Sequence, residues 1–364
     1  MSADRTIISL ADSHEEKREV GELVYDVYIE ELGYTDVVDH DTRILLDELD
    51  DTAIHYAVRD SSSNLIGTYR INRFCDLRDP LAQLAPAPVE DLLQRAPLEA
   101  LSYTSRVIIR KEWRGSTLLA KMAMHFASEL LRLGSRFDIC ISLPHLVGFY
   151  EHLGYQRFGQ RVTGEGYGIG FPMVMCTSDK QHFSQVRSPL IRHREIKSIT
   201  DRWGDGRWLR ERSVHWGVNH RVMERNAFWT IVGDALNGTG KTSGVFHGFS
   251  EEEAKQLLKT APLLEIKKGD PILAARLHQE NLYIIVEGEF TMENEEEVKH
   301  KPTTRLRAGD YFGEQEFLKP GLSKINVTAS TDAKIMILDQ VFLQKMRSNS
   351  AEALAIICRN LREK

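Results

Sequence analysis

Tyr103-Thr104-Ser105-Arg106-Val107-Ile108-Ile109-Arg110, followed by Arg114-Gly115-Ser116-Thr117-Leu118-Leu119, decides how the first half of this chain is read. β-Branched and aromatic residues over 103–110 predict a strand. Arg114-Gly115 marks a turn, and the apolar spacing over 115–133 predicts a helix. A second strand follows over 137–143. A short helix over 146–153 then carries Phe149-Tyr150-Glu151-His152-Leu153-Gly154-Tyr155.

The surrounding sequence fits a sheet with helices on its faces. Val20, Leu23, Val24, Val27 and Tyr28 predict a helix over 12–33, with Gly33 as its cap. Residues 53–59 alternate as a strand, Ser61-Ser62-Ser63-Asn64 turns the chain, and Leu65 to Phe74 returns as a hairpin partner. The proline-rich stretch 76–99 reads as loop and short helix. Strands over 155–158 and 171–176, separated by glycine-rich 164–170, close the sheet.

The second half follows a different pattern. Ser250 and Glu253 make a capping box for a helix over 251–259. Short alternating strands then turn at Lys268-Gly269-Asp270, Glu287-Gly288-Glu289, Ala308-Gly309-Asp310 and Pro320-Gly321, the spacing of an all-β roll. Residues 339–362 close as helix. The expected class is α+β: a mixed αβα sheet domain over 1–180, a helical connector over 181–243, and a β-roll with flanking helices over 244–364. Trp203, Trp208, Trp216 and Trp229 punctuate the connector, where interdomain packing is expected of them. Gly238-Thr239-Gly240-Lys241-Thr242 looks like the end of a phosphate-binding loop, but Ala235 stands where the first glycine belongs and no strand precedes it.

Composition narrows the function. A net charge of −6, with 27% charged and 42% hydrophobic residues, gives no electrostatic footprint for nucleic acid. No stretch approaches the roughly 18–20 apolar residues of a membrane span. The N-terminus does not read as a signal peptide. Cys75, Cys140, Cys176 and Cys358 lack metal or disulfide spacing and read as free thiols in a reducing cytoplasm. His125, His145 and His152 match no ligand set, so no metal is expected.

The strand–turn–helix–strand unit and the Phe149–Tyr155 segment resemble the GNAT acyltransferase family over about residues 15–176. That resemblance implies a V-shaped split between two parallel strands, holding the pantetheine arm of an acyl donor. Free N–H groups at the start of the helix suit its phosphate. Val107, Ile108, Ile109, Arg114, Gly115, Ser116 and Thr117 are the expected donor-binding residues. Arg114 and Gly115 match the family turn, whereas Thr117 and Leu119 replace two small residues. The bulkier turn suits an acyl carrier protein (ACP) as well as coenzyme A. Tyr150 matches the general acid that protonates the departing thiolate.

Tyr25 to Tyr34, Asp47-Glu48-Leu49-Asp50, Gly67-Thr68-Tyr69-Arg70 and Thr104-Ser105-Arg106 are similar to segments of acyl-homoserine-lactone synthases and long-chain N-acyl amino acid synthases. In the lactone synthases such residues form an electrostatic cluster, here Asp47, Asp50, Arg70 and Arg106. Val24 stands near the place of a further arginine, which sets this chain apart from lactone synthesis. On their own chemistry, Asp47 and Asp50 either accept a proton from an amine or serve as helix caps and surface charge. Arg70 and Arg106 lie within apolar strand patterns and need carboxylate partners.

Leu282 to Phe290, Arg307 to Leu318 and Val327-Thr328-Ala329-Ser330 resemble cyclic-nucleotide-binding domains over about 244–364. Gly313 and Glu314 match the phosphate cassette. Ser323 stands where that family has arginine, Lys324 is adjacent, and Glu316 replaces a small residue. The resemblance implies cAMP or cGMP as ligand; a retained roll for interaction or homodimerisation is the alternative. The expected activity is therefore N-acyl transfer from acyl-CoA or acyl-ACP to a small-molecule amine. Asp50 or Asp47 would accept the proton, and N–H groups near Val107–Ile109 would polarise the thioester. A cyclic-nucleotide-regulated protein-lysine acetyltransferase and a non-catalytic sensing protein are the alternatives.

Overall fold

The computed structural model describes residues 6–34, 40–84, 87–164, 168–216, 233, 244–258, 261–295 and 303–362. Trp229 and the 238–242 segment lie outside the described residues. The chain divides into two compact units. The first comprises Met1–Ser142, Phe149–Val162 and Phe171–Trp216; the second comprises Leu143–Gly148, Thr163–Gly170 and Gly217–Lys364.

Strands β1 (Ile7–Leu10), β2 (Ile54–Arg59), β3 (Leu65–Arg73), β4 (Leu101–Ile109), β5 (Phe137–Ser142), β6 (Gln156–Arg157), β7 (Val162–Gly164) and β8 (Gly168–Cys176) make one sheet. Their order is β1-β2-β3-β4-β5-β8-β6, with β7 on β8. Strand β1, too short to announce itself in sequence, pairs antiparallel with β2, Ile7 opposite Arg59. The β4–β5 pair is parallel. A parallel pair needs a crossover connection, and a helix over Leu118–Arg132 supplies it. That helix buries Leu118, Met122, Ala123, Phe126, Ala127 and Leu130.

The first helix, His14–Tyr25, opens with a capping box: Glu16 N–H donates to Ser13 Oγ (3.2 Å) and Ser13 N–H to Glu16 Oε2 (3.1 Å). Val20, Leu23, Val24 and Val27 pack with Ala57 and Ile108. From Asp26 to Glu31 the chain widens into a π-helical turn, with Leu32 N–H bonding Val27 O at 2.9 Å.

Short helices at Lys180–Gln185, Arg194–Ser198 and Asp205–Ser213 belong to the first unit. Fully buried Asp205 holds them there. It accepts from Arg95 Nε (2.9 Å) and from Arg136 Nε and Nη2 (2.7 and 2.8 Å). Trp208, expected at an interdomain contact, instead packs within this unit, with ring centroids 5.6 Å from Phe137 and 5.7 Å from Phe158. Trp203 is exposed and lies under the Arg136 guanidinium, 4.3 Å away.

Among the described residues, the second unit holds two four-stranded antiparallel sheets and a two-stranded one, His278–Gln279 with Gly321–Leu322. One four-stranded sheet holds Pro271–Leu273, Ile325–Ala329, Glu289–Asn294 and Thr304–Arg307; the other holds Tyr311–Phe312, Leu282–Glu287, Ala333–Leu338 and Leu263–Ile266. Alternate residues of the central strands, Leu282, Ile284 and Val286 with Met336 and Leu338, enter the core. Gly288 has φ +91, and a Cβ there would stand 2.6 Å from Asp332 O, so this tight turn requires glycine. The Ser250–Glu253 capping box is formed, with Ser250 N–H to Glu253 Oε2 at 2.8 Å and Glu253 N–H to Ser250 Oγ at 3.3 Å. The closing helical stretch is two helices, Gln340–Asn349 and Ala351–Arg362.

Candidate active site

Strands β4 and β5 pair over three residues only: Leu101 with Phe137, Ser102 with Asp138, and Tyr103 with Ile139. Beyond Tyr103 the strands part, although β4 runs to Ile109 and β5 to Ser142. Among the described residues, no strand pairs with the β5-facing edge of β4 past that point. On its other edge β4 bulges. Thr68 faces Ile108 and Arg70 faces Ser105, so Arg106 and Val107 together oppose Tyr69. Arg106, one of the two residues at the bulge, adopts a left-handed φ of 51, a conformation that most side chains avoid.

The bulge delivers Arg106 to a four-residue cluster. Arg70 Nη1 lies 2.7 Å from Asp47 Oδ1 and 2.6 Å from Asp50 Oδ1, and its Nη2 is 2.9 Å from Asp47 Oδ2. Arg106 Nη1 lies 2.8 Å from Asp50 Oδ2, and its Nη2 is 2.9 Å from Asp47 Oδ2. Arg70 Nε donates to Ser105 Oγ (2.8 Å), and Arg106 Nη1 also donates to Leu45 O (3.0 Å). The carboxylates reach this geometry through a 3-10 turn, Glu48–Asp51, where Asp47 and Asp50 cap reciprocally: Leu49 N–H bonds Asp47 Oδ1, and Asp47 N–H bonds Asp50 Oδ2. Capping and ion pairing are thus both present.

The two aspartates are not equivalent. The Asp47 side chain is 44% exposed and that of Asp50 only 7%. Burial opposes ionisation of Asp47, but the Arg70 hydrogen bonds and the charges of Arg70 and Arg106 prevail and hold it below the usual carboxylate range. Beneath them, His55 Nε2 lies 3.5 Å from Asp50 Oδ1. Burial lowers the affinity of His55 for a proton, against the pull of Asp50. Sequence reading did not single out His55, whose alternating strand position gives no sign of what it faces.

The turn before the crossover helix is already occupied by its own side chains. Arg114 makes a bidentate pair with Glu31, Nη2 to Oε2 at 2.9 Å, and its Nε donates to Ile109 O at 3.0 Å. Gly115 takes a left-handed φ of 71. Ser116 Oγ donates to Trp113 O (2.6 Å) and accepts from Leu118 N–H (3.2 Å). Thr117 occupies the N-cap position without a side-chain bond.

Tyr150 lies in the short helix Val147–Leu153 and is buried. Burial, then Cys140, Tyr28, Asp138 and Tyr103, push its phenol upward, so it stays protonated at neutral pH. Tyr103 is the last β5-paired residue of β4, and Cys140 is the first residue of β5 beyond the pairing. The Tyr150 ring lies 5.3 Å from that of Tyr155, whose hydroxyl bonds Asp138 on the short β4–β5 ladder, and this places Tyr150 at the apex of the split. The histidines serve packing contacts: His125 Nδ1 meets Tyr69 OH at 2.6 Å, and His152 Nδ1 meets Val186 O at 3.2 Å. Among the described residues no group of His, Cys, Asp and Glu is placed to hold a metal ion, and no helix is long and apolar enough to cross a membrane.

In the second unit, Gly313 has φ +85 and precedes the helix Glu314–Leu318; a Cβ on it would meet Asn281 O at 2.5 Å. Ser323 is buried, with its Oγ donating to Ile325 O (3.2 Å) and accepting from Ile325 N–H (3.3 Å). Glu316 is buried, and burial with the nearby Glu314 charge raises its pKa against the pull of Lys324.

Two family models match this chain: the acetyltransferase (GNAT) domain over residues 23–124 and the cyclic nucleotide-binding domain over residues 263–350. The chain joins a GNAT-like domain to a cyclic-nucleotide-binding-like domain. Among curated proteins, the cGMP-dependent 3',5'-cGMP phosphodiesterase A of Dictyostelium discoideum is 28% identical over 115 residues, 32% of this chain. The match spans only 13% of that protein's length. Among solved structures, FeeM, an N-acyl amino acid synthase from uncultured soil microbes, is 14% identical with a TM-score of 0.41, covering 50% of this chain and 96% of that one. TofI, solved in a ternary complex with an inhibitor and MTA, is 19% identical with a TM-score of 0.40, covering 51% of this chain and 98% of that one.

Within the GNAT-like domain, the structure gathers Asp47, Asp50, Arg70 and Arg106 at the β4 bulge and puts Tyr150 at the apex of the split. It places Arg114 on Glu31 instead of leaving its guanidinium open. Sequence reading also missed Asp138, a fully buried carboxyl within the apolar run Phe137-Asp138-Ile139-Cys140-Ile141. Its one signal was a charge at a strand position where burial is expected.

Proposed function

We propose that the GNAT-like domain transfers an acyl group from a thioester to an amine. The observation that carries this reading is the parting of β4 and β5 beyond Tyr103 and Ile139, with a protonated, buried tyrosine at the apex. The pantetheine arm lies along the open edge of β4, and N–H groups near Val107–Ile109 polarise the thioester carbonyl. The acceptor's ammonium group docks on Asp47, the exposed carboxylate of the cluster. Both aspartates are paired with the two arginines, but Asp50, expected as a proton acceptor, is only 7% exposed and anchors the cluster instead. After losing its proton to water, the amine attacks the carbonyl. The C–N bond forms, the C–S bond breaks, Tyr150 gives its phenolic proton to the departing sulfur, and the second proton shed by the nitrogen returns through water to the Tyr150 phenolate.

Acyl-ACP is the favoured donor. Glu31 already occupies the Arg114 guanidinium and Ser116 already bonds Leu118 N–H, so the turn has less to offer the second phosphate and nucleotide of coenzyme A. The cyclic-nucleotide-binding-like domain regulates the reaction. Its fusion to the transferase in one chain supports this role.

The test is thiol release from matched acyl-CoA and acyl-ACP donors across a panel of amino acids and amines, with and without cAMP or cGMP. Amine-dependent release, faster from acyl-ACP, is the expected result. Thioester consumption that no amine accelerates would remove the transferase reading.

A further inference from the structure

The buried Asp138 has no part in the chemistry above, yet it stands at the apex of the split. It pairs with Ser102 on the middle rung of the short β4–β5 ladder. Its Oδ1 accepts from Ser102 Oγ (2.6 Å) and from Thr104 Oγ1 (2.9 Å). Ser102 lies within the paired stretch, whereas Thr104 is the first residue of β4 beyond it. The other oxygen, Oδ2, accepts from Tyr155 OH. One carboxyl therefore bonds both sides of the point where the strands part.

Tyr155 extends the connection. Its ring stands edge-on to Tyr150, with centroids 5.3 Å apart and an interplanar angle of 83°. Both rings are buried, so moving one displaces the other. A buried carboxyl held by three hydroxyls is an expensive way to join two strands, because burial disfavours its charge and no cation is among these partners.

We infer that Asp138 is a positioning residue for acyl transfer: it latches the apex of the β4–β5 split and, through Tyr155, sets the Tyr150 phenol where the leaving sulfur departs. This inference rests on the reading of Tyr150 as proton donor. The groups facing Asp138 are Ser102 and Thr104 from β4 and Tyr155 from the segment after the Val147–Leu153 helix, with Cys140 following on β5 and Tyr150 behind Tyr155.

The latch has two states. Ionised, the carboxylate accepts from all three hydroxyls. Protonated, it must itself donate, and one of the three contacts is rearranged. Burial pushes the Asp138 carboxyl up to about 7, against the three hydroxyl bonds that favour the charge.

The experiment uses the full chain with tyrosine labelled at the phenolic carbon, followed by NMR from acid to mildly alkaline pH. Resonances are assigned with Tyr150→Phe and Tyr155→Phe. The Tyr155 and Tyr150 signals are expected to move together with one midpoint near 7, and Asp138→Asn should abolish the movement in both. Should Asp138→Asn fail to fold, Tyr155→Phe keeps the ring and removes the hydroxyl; it should silence the Tyr150 titration alone. A Tyr150 signal that does not move in the unmodified protein, or that still titrates in these variants, overturns the inference.

Thiol release from acyl-ACP separates the two ideas. Asp138→Asn is expected to lower kcat about tenfold with little change in KM, and to remove a pH transition near 7. Full activity in Tyr150→Phe sinks the proton-donor reading while leaving the ring coupling in place. Impaired Tyr150→Phe beside unimpaired Asp138→Asn sinks only the positioning role.

Discussion

Arg106 Nη1 lies 2.8 Å from Asp50 Oδ2, and both side chains are more than nine-tenths buried. Arg106 reaches this position from a left-handed backbone conformation at the β4 bulge. The strained residue and the buried ion pair therefore depend on one another.

Removing one partner should be severe. Arg106→Ala or Asp50→Ala leaves an uncompensated buried charge, which costs about 3–5 kcal/mol. Equilibrium denaturation in urea checks this. A loss near zero would mean that water reaches the cluster and screens it.

Tyr150→Phe keeps the ring and removes the proton donor. Under the proposed mechanism kcat falls by roughly 100-fold with the acyl-ACP KM little changed. Steady-state thiol release gives both constants. A raised KM with intact kcat would make Tyr150 a binding residue instead.

Glu31→Gln should release Arg114 from its bidentate pair. The freed guanidinium is then available to the pyrophosphate of coenzyme A. The KM for acyl-CoA is expected to fall several-fold while that for acyl-ACP stays put. Equal changes for both donors would place Arg114 outside the donor site.

The pH dependence of stability carries a distinct signature. Asp138 has a folded pKa raised to about 7 from an ordinary value of 3.8. Its contribution is fully present below the unfolded value and is lost as pH rises through the folded one. Thermal midpoints should therefore decline between those pH values, and Asp138→Asn should flatten that decline.

His55 acts in the opposite direction. Burial holds its pKa below the ordinary 6.5. The unfolded chain then takes up the proton first, so stability falls as pH drops below that value. Calorimetry of His55→Gln should show a weaker loss of stability on acidification; an unchanged acid limb would place the transition in other groups.

Much of the fold was legible because its signals are local. The alternation of 53–59 and 65–74 predicted the hairpin now seen as β2 and β3, and the apolar spacing of 115–133 predicted the crossover helix. The Ser250–Glu253 box follows from two residues three apart. Even the need of Arg70 and Arg106 for carboxylates was readable, since a charge in an apolar strand pattern demands a partner.

The sequence by itself determined the two folds, their order and the residue types at the candidate site, because periodicity, caps and turns act over a few residues. Tertiary structure alone decided which groups meet. It buried Asp50 while leaving Asp47 open, gave Arg114 to Glu31 across 83 positions, and set Asp138 between Ser102, Thr104 and Tyr155. Those pairings depend on a one-residue bulge and on where two parallel strands stop bonding. Register, bulge and split are properties of strands brought together, so no stretch of sequence contains them.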